Sequence, residues 1–308
     1  MLASTPLVEE APMKIAIATC QNLPGWEIDD APFHAALNAA TISFEQHAWD
    51  DPSVDWATFD ACIIRTTWDY MPRREAFIDW ARRVDSVSPL FNPSEVVVWN
   101  THKGYLAQLE ARGVKIAPTV WLKAGVGVDV NALLSDRGWS RGFIKPTVGA
   151  NASDTLRFSL DDLGLERAQA HLDALLPTQG FMIQPYLERV ETDGELSAIY
   201  FDGVLSHAVQ KVPVPGDYRV QDDHGASDFG VSLSATQRRF ADTVVREAMR
   251  IAPGLEGDPL LYARVDMMFL DDGSLCLTEL ELVEPSLFFR HTPDGAARLA
   301  SALVKRLT

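Results

Sequence analysis

The feature that most constrains the fold of this chain is a segment near its end that is typical of a β-hairpin with three acids on one face. Residues 262–282 (YARVDMMFLDDGSLCLTELEL) contain two apolar runs separated by Asp272-Gly273, a dipeptide that closes two-residue hairpin turns. Counting outward from that turn places Asp266 opposite Glu279. Glu281 lies two residues further on, and therefore on the same face.

This acidic face needs a counter-charge. Carboxylates paired across strands lie about 5 Å apart and repel each other, which destabilises a hairpin. A divalent cation between them would remove the repulsion, and hard oxygen ligands at this density suit Mg²⁺. The alternative is an acidic strand face in contact with water. Leu275 and Leu277 argue against it, because simple alternation places these leucines on the same face.

Composition narrows the class of protein. A chain of 308 residues exceeds the usual size of one domain, so we expect two or three subdomains. The net charge of −16 argues against nucleic acid or an anionic membrane as a partner. No apolar run is long enough for a transmembrane helix. The three cysteines share no short spacing, which fits a reducing cytosol and offers no zinc cluster.

The first residues do not read as a folded element. Residues 1–12 have neither the basic nor the apolar region of a signal peptide, so we expect a flexible leader and a cytoplasmic protein. The fold is expected to begin near Met13.

Strands and helices alternate in the first third of the chain, which predicts a small parallel α/β sheet. The predicted strands are 14–19, 42–48 and 61–65, with a helix around 32–40. Ligands bind such sheets beyond the carboxyl ends of the strands. The loop 65–70 (RTTWDY) follows the third strand and is rich in hydrogen-bonding and aromatic side chains, but it could equally be a well-packed turn.

A lysine occupies an unfavourable place in the next predicted helix. Asn100 is a good N-cap for a helix Thr101–Ala111, and Gly113 is a good residue to end it. Lys103 would then lie in the first turn, where the helix dipole disfavours a cation. An anion that binds both the lysine and the free backbone N–H groups would remove this conflict. Otherwise Lys103 simply points into water.

A second lysine precedes a loop of small residues. Residues 143–145 form a predicted strand that ends at Lys145, and Thr147–Ser153 is a loop whose backbone amides can fold over phosphate. The loop matches neither the P-loop pattern nor the dinucleotide-binding pattern, so by itself it is a weak signal.

Further elements follow in the second half of the chain. Residues 181–187 (FMIQPYL) are a predicted strand that runs into a turn, and 195–201 and 204–212 flank Asp202-Gly203 as a second hairpin. Ser234-x-x-Gln237 is a capping box for an amphipathic helix, which we interpret as structural.

In this order, the features resemble the ATP-grasp ligases, in particular the branch that contains glutathione synthetase and the ribosomal-protein S6 modification enzymes. The resemblance covers about residues 99–290. The local similarity is greatest to the cyclo-ligases of cycloserine biosynthesis. It rests on the segments TTWDY, WNTHK, IKP, QPYLE, GELS, YARVD and TELELVEPSLF. The resemblance implies a mixed α/β (α+β) ATP-grasp fold, in which a small parallel-sheet pre-domain (13–98) precedes two antiparallel-sheet subdomains (99–186 and 187–308) that clasp ATP.

The resemblance also implies roles for individual residues. Lys103 and Lys145 would contact the phosphates of ATP, and the loop with Gly149 and Ala150 would close over them. Glu195 would bind the ribose hydroxyls. The backbone of Pro185, Tyr186 and Leu187 would receive the edge of the adenine, and the side chain of Gln184 would lie nearby.

Metal and substrate contacts follow from the same resemblance. Asp266, Glu279 and Glu281 would hold two Mg²⁺ ions, although glutathione synthetase has asparagine at the position of Glu281. Lys211 and Arg219 would act near the γ-phosphate and the acyl intermediate. Arginine matches a carboxylate or a phosphate with two parallel hydrogen bonds, but Arg219 could also be an exposed surface residue. The amino-acid substrate would contact Arg65, Thr66, Asp69 and Ser286.

The predicted function is an ATP-dependent carboxylate–amine ligase that works through an acyl phosphate. The nearer resemblance implies the ring closure of O-ureidoserine to cycloserine. The alternatives are an intermolecular amino-acid or dipeptide ligase and a catalytically silent nucleotide-binding regulator. We expect a small amino-acid-like substrate, a homodimer, and no nucleic-acid or membrane partner.

Overall fold

The computed structural model describes residues 13–22, 29–149, 152–220, 225–255 and 257–308. The predicted leader, residues 1–12, and Ala150 of the predicted phosphate loop lie outside this part of the chain. Within it, no helix is both long enough and apolar enough to cross a bilayer.

The first sheet is parallel, as predicted, with the strand order β2-β1-β3-β4. Its central strands are buried along nearly their whole length, which explains why they read as apolar runs. The strands are β1 (Lys14–Thr19), β2 (Ser43–Ala48), β3 (Ala61–Thr66) and β4 (Leu90–Phe91). The helices of this part are α1 (Ala31–Ala39), α2 (Arg74–Asp85) and α3 (Ser94–Asn100).

The second sheet is antiparallel, with the strand order β5-β8-β6-β7. Two helices cover it through a core that includes Ile144, Leu172 and Phe181. The strands are β5 (Val120–Leu122), β6 (Arg141–Pro146), β7 (Leu156–Ser159) and β8 (Phe181–Pro185). Helix α4 (Tyr105–Ala111) precedes this sheet, and its covering helices are α5 (Val130–Leu134) and α6 (Asp162–Leu175).

The third sheet is also antiparallel, with the strand order β11-β10-β9-β12-β13. Asp202 and Gly203 close the β9–β10 hairpin with positive φ angles of 51° and 73°, which confirms the predicted two-residue turn. The strands are β9 (Glu195–Phe201), β10 (Val204–Val212), β11 (Ser227–Val231), β12 (Tyr262–Phe269) and β13 (Leu275–Glu281). The helices are α7 (Val190–Asp193), α8 (Ala235–Ile251), which begins with the predicted capping box, and α9 (Gly295–Leu307).

The β12–β13 hairpin has a longer turn than predicted. The Leu270 N–H donates to the carbonyl of Ser274 at 2.8 Å, which leaves three residues in the loop, Asp271–Gly273. Gly273 has a φ of 79°, as three-residue hairpin loops require at their last position. The predicted two-residue turn at Asp272-Gly273 is therefore wrong.

A β-bulge corrects the register further along the same hairpin. Met267 pairs with Leu277, whereas Asp266 pairs with Glu279, so that Thr278 is an extra residue in β13. The longer turn and the bulge each shift the register by one residue in opposite directions. The predicted pairing of Asp266 with Glu279 is confirmed because the two shifts cancel.

The bulge also changes which residues of β13 face the core. Leu275 and Leu277 pack in the same core as Leu280 and Leu282, so the buried positions switch from odd to even at Thr278. The prediction that Leu275 and Leu277 share a face with the glutamates is wrong, because it assumed an unbroken alternation.

The predicted N-cap at Asn100 is also wrong. Asn100 is the last residue of α3, and its side chain pairs with the edge of β13. Its Nδ2 donates to the carbonyl of Leu280 and its Oδ1 accepts from the N–H of Leu282, both at 2.8 Å. As a result, Lys103 lies in the link between α3 and α4 and not in a first helical turn.

The packing of the helices joins the sheets to each other. Residues of α3, α4 and α8 share a core with β9, β12 and β13. Helices α1 and α9 share another core that includes both the first and the third sheet. Each sheet falls within one of the predicted ranges 13–98, 99–186 and 187–308, but α4 packs on the third sheet, which brings Lys103 close to β13.

Candidate functional site

A cleft where the three sheets meet gathers five cationic and five anionic side chains. Most of them project from antiparallel strands on which every second residue faces the cleft. The cations are Lys103, Lys145, Lys211, Arg219 and Arg264, and the acids are Glu195, Asp266, Glu279, Glu281 and Glu284.

Lys103 connects the small-residue loop to the hairpin. Its backbone N–H donates to the carbonyl of Thr147 at 2.7 Å, and its Nζ donates to the carbonyl of Gly149 at 3.0 Å. The Nζ also forms an ion pair with Glu279. Burial alone would lower the pKa of Lys103, but the Glu279 carboxylate outweighs burial and raises it.

Lys145 differs from the other cations of the cleft. It projects from β6, and in the described part of the chain its Nζ has neither a hydrogen bond nor an ion pair, although it lies 5.4 Å from the ring centroid of Phe143. Burial lowers the pKa of Lys145 and, together with the nearby Lys103 ammonium, outweighs the attraction of the Glu279 carboxylate. An anionic ligand would supply the counter-charge of this ammonium group.

Strands β9 and β10 bring Glu195 and Lys211 directly opposite each other, where they form an ion pair. The Lys211 Nζ lies 3.5 Å from Asp266, and the Thr278 hydroxyl donates to Glu195 at 2.9 Å. Burial would lower the pKa of Lys211, but the carboxylates of Asp266 and Glu195 raise it. The bulge at Thr278 thus provides a hydrogen bond that a regular strand would not.

Arg264 neutralises two acids at once. It lies on β12, two residues before Asp266, and its guanidinium donates to Asp266 at 2.9 Å and also pairs with Glu281. Although burial raises carboxyl pKa values, Arg264 and Lys211 hold the pKa of Asp266 at about 2. Burial dominates at Glu281 and raises its pKa to about 8, despite the pairing with Arg264.

The three predicted metal ligands offer the right donor chemistry for Mg²⁺. Asp266, Glu279 and Glu281 lie on one face of adjacent strands and supply only carboxylate oxygens. In the described residues no cluster of three acid, histidine or cysteine side chains is arranged to share a metal ion, because each acid is paired with a cation. Metal binding would therefore require Lys103 and Arg264 to give up these carboxylates.

The residues predicted to hold the adenine do not line the cleft. Gln184 is buried and donates to Thr119 at 2.9 Å. Tyr186 lies behind Tyr218, which does line the cleft, and the two rings pack edge to face at 6.4 Å between centroids. Pro185 and Leu187 also lie outside the lining.

Three of the four predicted substrate contacts lie behind the cleft wall. Arg65 is buried and donates to Asp30 at 2.7 Å and to the carbonyl of Pro285 at 3.0 Å. Thr66 bonds the hydroxyl of Thr19, and Asp69 accepts from Trp49 at 2.7 Å. This arrangement does not support direct substrate contacts from Arg65, Thr66 or Asp69, whereas the fourth predicted residue, Ser286, lines the cleft.

Sequence reasoning assigned no role to several residues of the lining, among them Trp68, Tyr70, Arg264 and Glu284. Period-two alternation from Asp266 would have identified Arg264. The loop after β3 was singled out, but its cleft-facing side chains are Trp68 and Tyr70 and not their neighbours. Arg219 lines the cleft and donates to Asp217 at 2.7 Å, and its role at the acyl intermediate stays a prediction.

Comparisons with known proteins point to one group of enzymes. The family model described as "D-cycloserine synthetase DcsG, N-terminal domain" matches residues 15–92. The cycloserine biosynthesis protein DcsG of Streptomyces lavendulae is 35% identical over 289 residues, which cover 91% of this chain and 94% of that protein. The crystal structure of D-cycloserine synthetase DcsG superposes with a TM-score of 0.87 at 31% identity, over 96% of this chain and 100% of the other.

More distant structures share the fold. A D-alanine–D-alanine ligase from Bacillus anthracis, complexed with ATP, has a TM-score of 0.68 at 12% identity over 96% of this chain and 97% of that one. The ATP-grasp ligase PsnB, complexed with a variant of its minimal precursor, Mg and ADP, has a TM-score of 0.65 at 15% identity over 97% and 100%. These similarities confirm the predicted ATP-grasp fold.

Proposed function

The chain belongs to the D-cycloserine synthetase family of ATP-grasp ligases, and from this membership we propose that it closes O-ureidoserine to cycloserine with ATP as the phosphoryl donor. It is an ATP-dependent ligase that forms carbon–nitrogen bonds. The observation that carries the proposal is the cleft, in which buried lysines face carboxylates on adjacent strands.

The proposed reaction has three steps. The substrate carboxylate attacks the γ-phosphorus of ATP, which gives an acyl phosphate and releases ADP. The oxygen-bound nitrogen of the ureido group in the same molecule then attacks the acyl carbon, loses its proton and displaces phosphate, which closes the ring. One water then hydrolyses the carbamoyl group from that nitrogen as carbon dioxide and ammonia, which leaves cycloserine. Phosphoryl transfer of this kind needs positioning and charge neutralisation more than covalent help from the protein. Lys145, Lys103 and Lys211 are the residues that would neutralise the phosphate oxygens, and Arg219 would neutralise the acyl-phosphate end.

The cofactor would be Mg²⁺, and we propose two ions held by Asp266, Glu279 and Glu281. When bound, Mg²⁺ would reduce the negative charge of the phosphates. The positions proposed for the adenine (residues 184–187), the ribose (Glu195) and the phosphate loop (Gly149 and Ala150) belong to the same proposal. We also propose that the protein is a homodimer, which light scattering can measure, and that it is located in the cytoplasm.

The test uses the purified protein with ATP, Mg²⁺ and O-ureidoserine. ADP release should depend on O-ureidoserine, and mass spectrometry should find cycloserine in the mixture. Glu279→Gln should abolish both signals, whereas Glu110→Gln, at an exposed position of α4, should preserve them. Dipeptides from amino-acid pairs without cycloserine would indicate an intermolecular ligase. If the protein binds ATP but releases no ADP in the presence of any amino acid, it is a nucleotide-binding regulator.

A further inference from the structure

The segment 283–287, which follows β13 along the cleft, has an unusual backbone. Each of its five consecutive carbonyls accepts a hydrogen bond from a side chain, at distances between 2.8 and 3.3 Å. In order from residue 283 to residue 287, the donors are Tyr262, Trp68, Arg65, Arg264 and His207.

These donors come from the first sheet, from the loop that follows it, and from β10 and β12 of the third sheet. A segment held at every carbonyl from both sides has little freedom to move, and side chains carried by such a backbone are positioned in advance. Glu284 and Ser286 are the cleft-lining residues of this segment. Their backbone position is set jointly by two sheets.

Glu284 differs from the other acids of the cleft. Glu195, Asp266, Glu279 and Glu281 each form an ion pair with a lysine or an arginine. In the described residues Glu284 forms none: the Tyr70 hydroxyl and Lys103, which is paired with Glu279, lower the pKa of its carboxyl but do not outweigh burial.

Lys145 is the counterpart of Glu284 among the cations of the cleft, since it also forms no ion pair within the described part of the chain. Lys145 and Glu284 therefore require ligand groups of opposite charge. Lys145 lacks an anion, which the phosphates of ATP can supply. Glu284 forms no ion pair in the described residues, and the Mg²⁺ ions proposed above are assigned to Asp266, Glu279 and Glu281. Since the amino group of adenine carries no charge, the other substrate is the remaining source of a cation.

Resting on the function proposed above, we propose that Glu284, beside Trp68 and Tyr70, binds the α-ammonium group of the amino-acid substrate. An ammonium group matches this environment in two ways. It supplies the charge that the secluded carboxylate lacks, and it is attracted to aromatic faces. Burial raises the pKa of Glu284 to about 7, and a bound ammonium would favour the ionised carboxylate.

The experiment is a binding cycle with the intact protein, Mg²⁺ and a non-hydrolysable ATP analogue, measured by calorimetry. The probes are O-ureidoserine and 3-(ureidooxy)propanoate, which lacks only the α-amino group. The wild type should bind the amine about tenfold more tightly or better, and in Glu284→Gln this preference should fall below about threefold. Glu110→Gln should retain the full preference, and the affinity of Glu284→Gln for the ATP analogue should match the wild type, which a collapsed site would not.

Each outcome decides the matter. A full preference in Glu284→Gln, or no preference in the wild type, overturns the inference. A preference that depends on Glu284 without cycloserine formation supports the ammonium site and rejects the proposed ring closure. If O-ureidoserine does not bind, D-alanine and propanoate are compared by the same criterion, and equal binding of those two overturns the inference. Should Glu284→Gln fail to fold, Glu284→Ala takes its place under the same criterion.

Discussion

Replacing Lys145 by methionine should have two opposite effects. Lys145→Met removes the charge and keeps the length of the side chain. In the ligand-free protein this removes a half-buried ammonium group that forms no ion pair in the described residues, so the protein should become slightly more stable. In the complex it removes a cation that the phosphates of ATP would otherwise meet, so ATP should bind more weakly.

The magnitudes follow from the surroundings of the lysine. Two unit charges about 4 Å apart at an effective dielectric constant of about 20 attract each other by about 4 kcal/mol. The loss of water from the phosphate offsets part of that attraction, and a remainder of about 2 to 3 kcal/mol corresponds to about 30- to 150-fold in Kd. For the ligand-free protein, the removal of a half-buried charge that Glu279 only partly compensates should stabilise by at most about 1 kcal/mol, or about 2 °C in Tm.

Two measurements test this prediction. Calorimetry gives the affinity for an ATP analogue in the presence of Mg²⁺, and thermal unfolding gives the Tm of the ligand-free protein. Lys123→Met is the matched control, since Lys123 is exposed beyond the end of β5 and should leave both quantities unchanged. An ATP affinity of Lys145→Met equal to that of the wild type would refute the phosphate contact. A lower Tm in the ligand-free state would refute the argument that burial destabilises this ammonium group.

Three other predictions concern the metal face, the acyl end and the stability of the fold. Glu279→Gln should keep the fold, as judged by circular dichroism, and retain less than about a tenth of the Mg²⁺-dependent ATP turnover; a higher residual rate would exclude Glu279 as a metal ligand. Arg219→Lys should lower turnover strongly with little change in ATP affinity, because lysine cannot form two parallel hydrogen bonds with a carboxylate or a phosphate; wild-type rates would place the acyl-phosphate end elsewhere. Burial lowers the pKa of His207 to about 4, so between about pH 6.5 and about pH 4 the unfolded chain binds more protons than the folded one and stability falls with falling pH. Urea unfolding should show this loss as about 2 kcal/mol at about pH 5 for the wild type relative to His207→Gln, and identical pH profiles of the two proteins would contradict it.

Local patterns predicted much of this fold because they depend on neighbours in the chain. The parallel first sheet, the Asp202-Gly203 turn and the capping box at Ser234 all follow from periodicity and turn chemistry. The pairing of Asp266 with Glu279 was predicted correctly from a wrong turn, because the bulge at Thr278 compensated for the extra loop residue. Nothing in the local pattern distinguishes a regular hairpin from one with these two cancelling irregularities.

The candidate site was harder to predict, because it is built from contacts between residues that are far apart in the sequence. Arg65 was expected at the substrate, yet it is buried against Asp30 and donates to a carbonyl 220 residues further along the chain. Asn100 was expected to cap a helix, yet it pairs with a strand 180 residues away. In both cases the residue type indicated a strong hydrogen-bonding role, and only the tertiary structure determined the partner.

The same reasoning explains why Lys145 and Glu284 could not be singled out as a pair. A sequence shows which residues carry charge, but it does not show which charges neutralise each other. In the cleft, Lys103, Lys211 and Arg264 pair with four acids, and Arg219 pairs with Asp217. Of the ten charged side chains in the lining, one lysine and one glutamate are therefore left without an ion pair in the described residues. A charge that is withdrawn from water and left unpaired lowers the stability of the protein. A ligand that supplies the missing counter-charge therefore binds with a more favourable free energy. Lys145 and Glu284 are thus the two groups of the cleft whose missing counter-charges we expect the ligands to supply, ATP for the lysine and the amino-acid substrate for the glutamate.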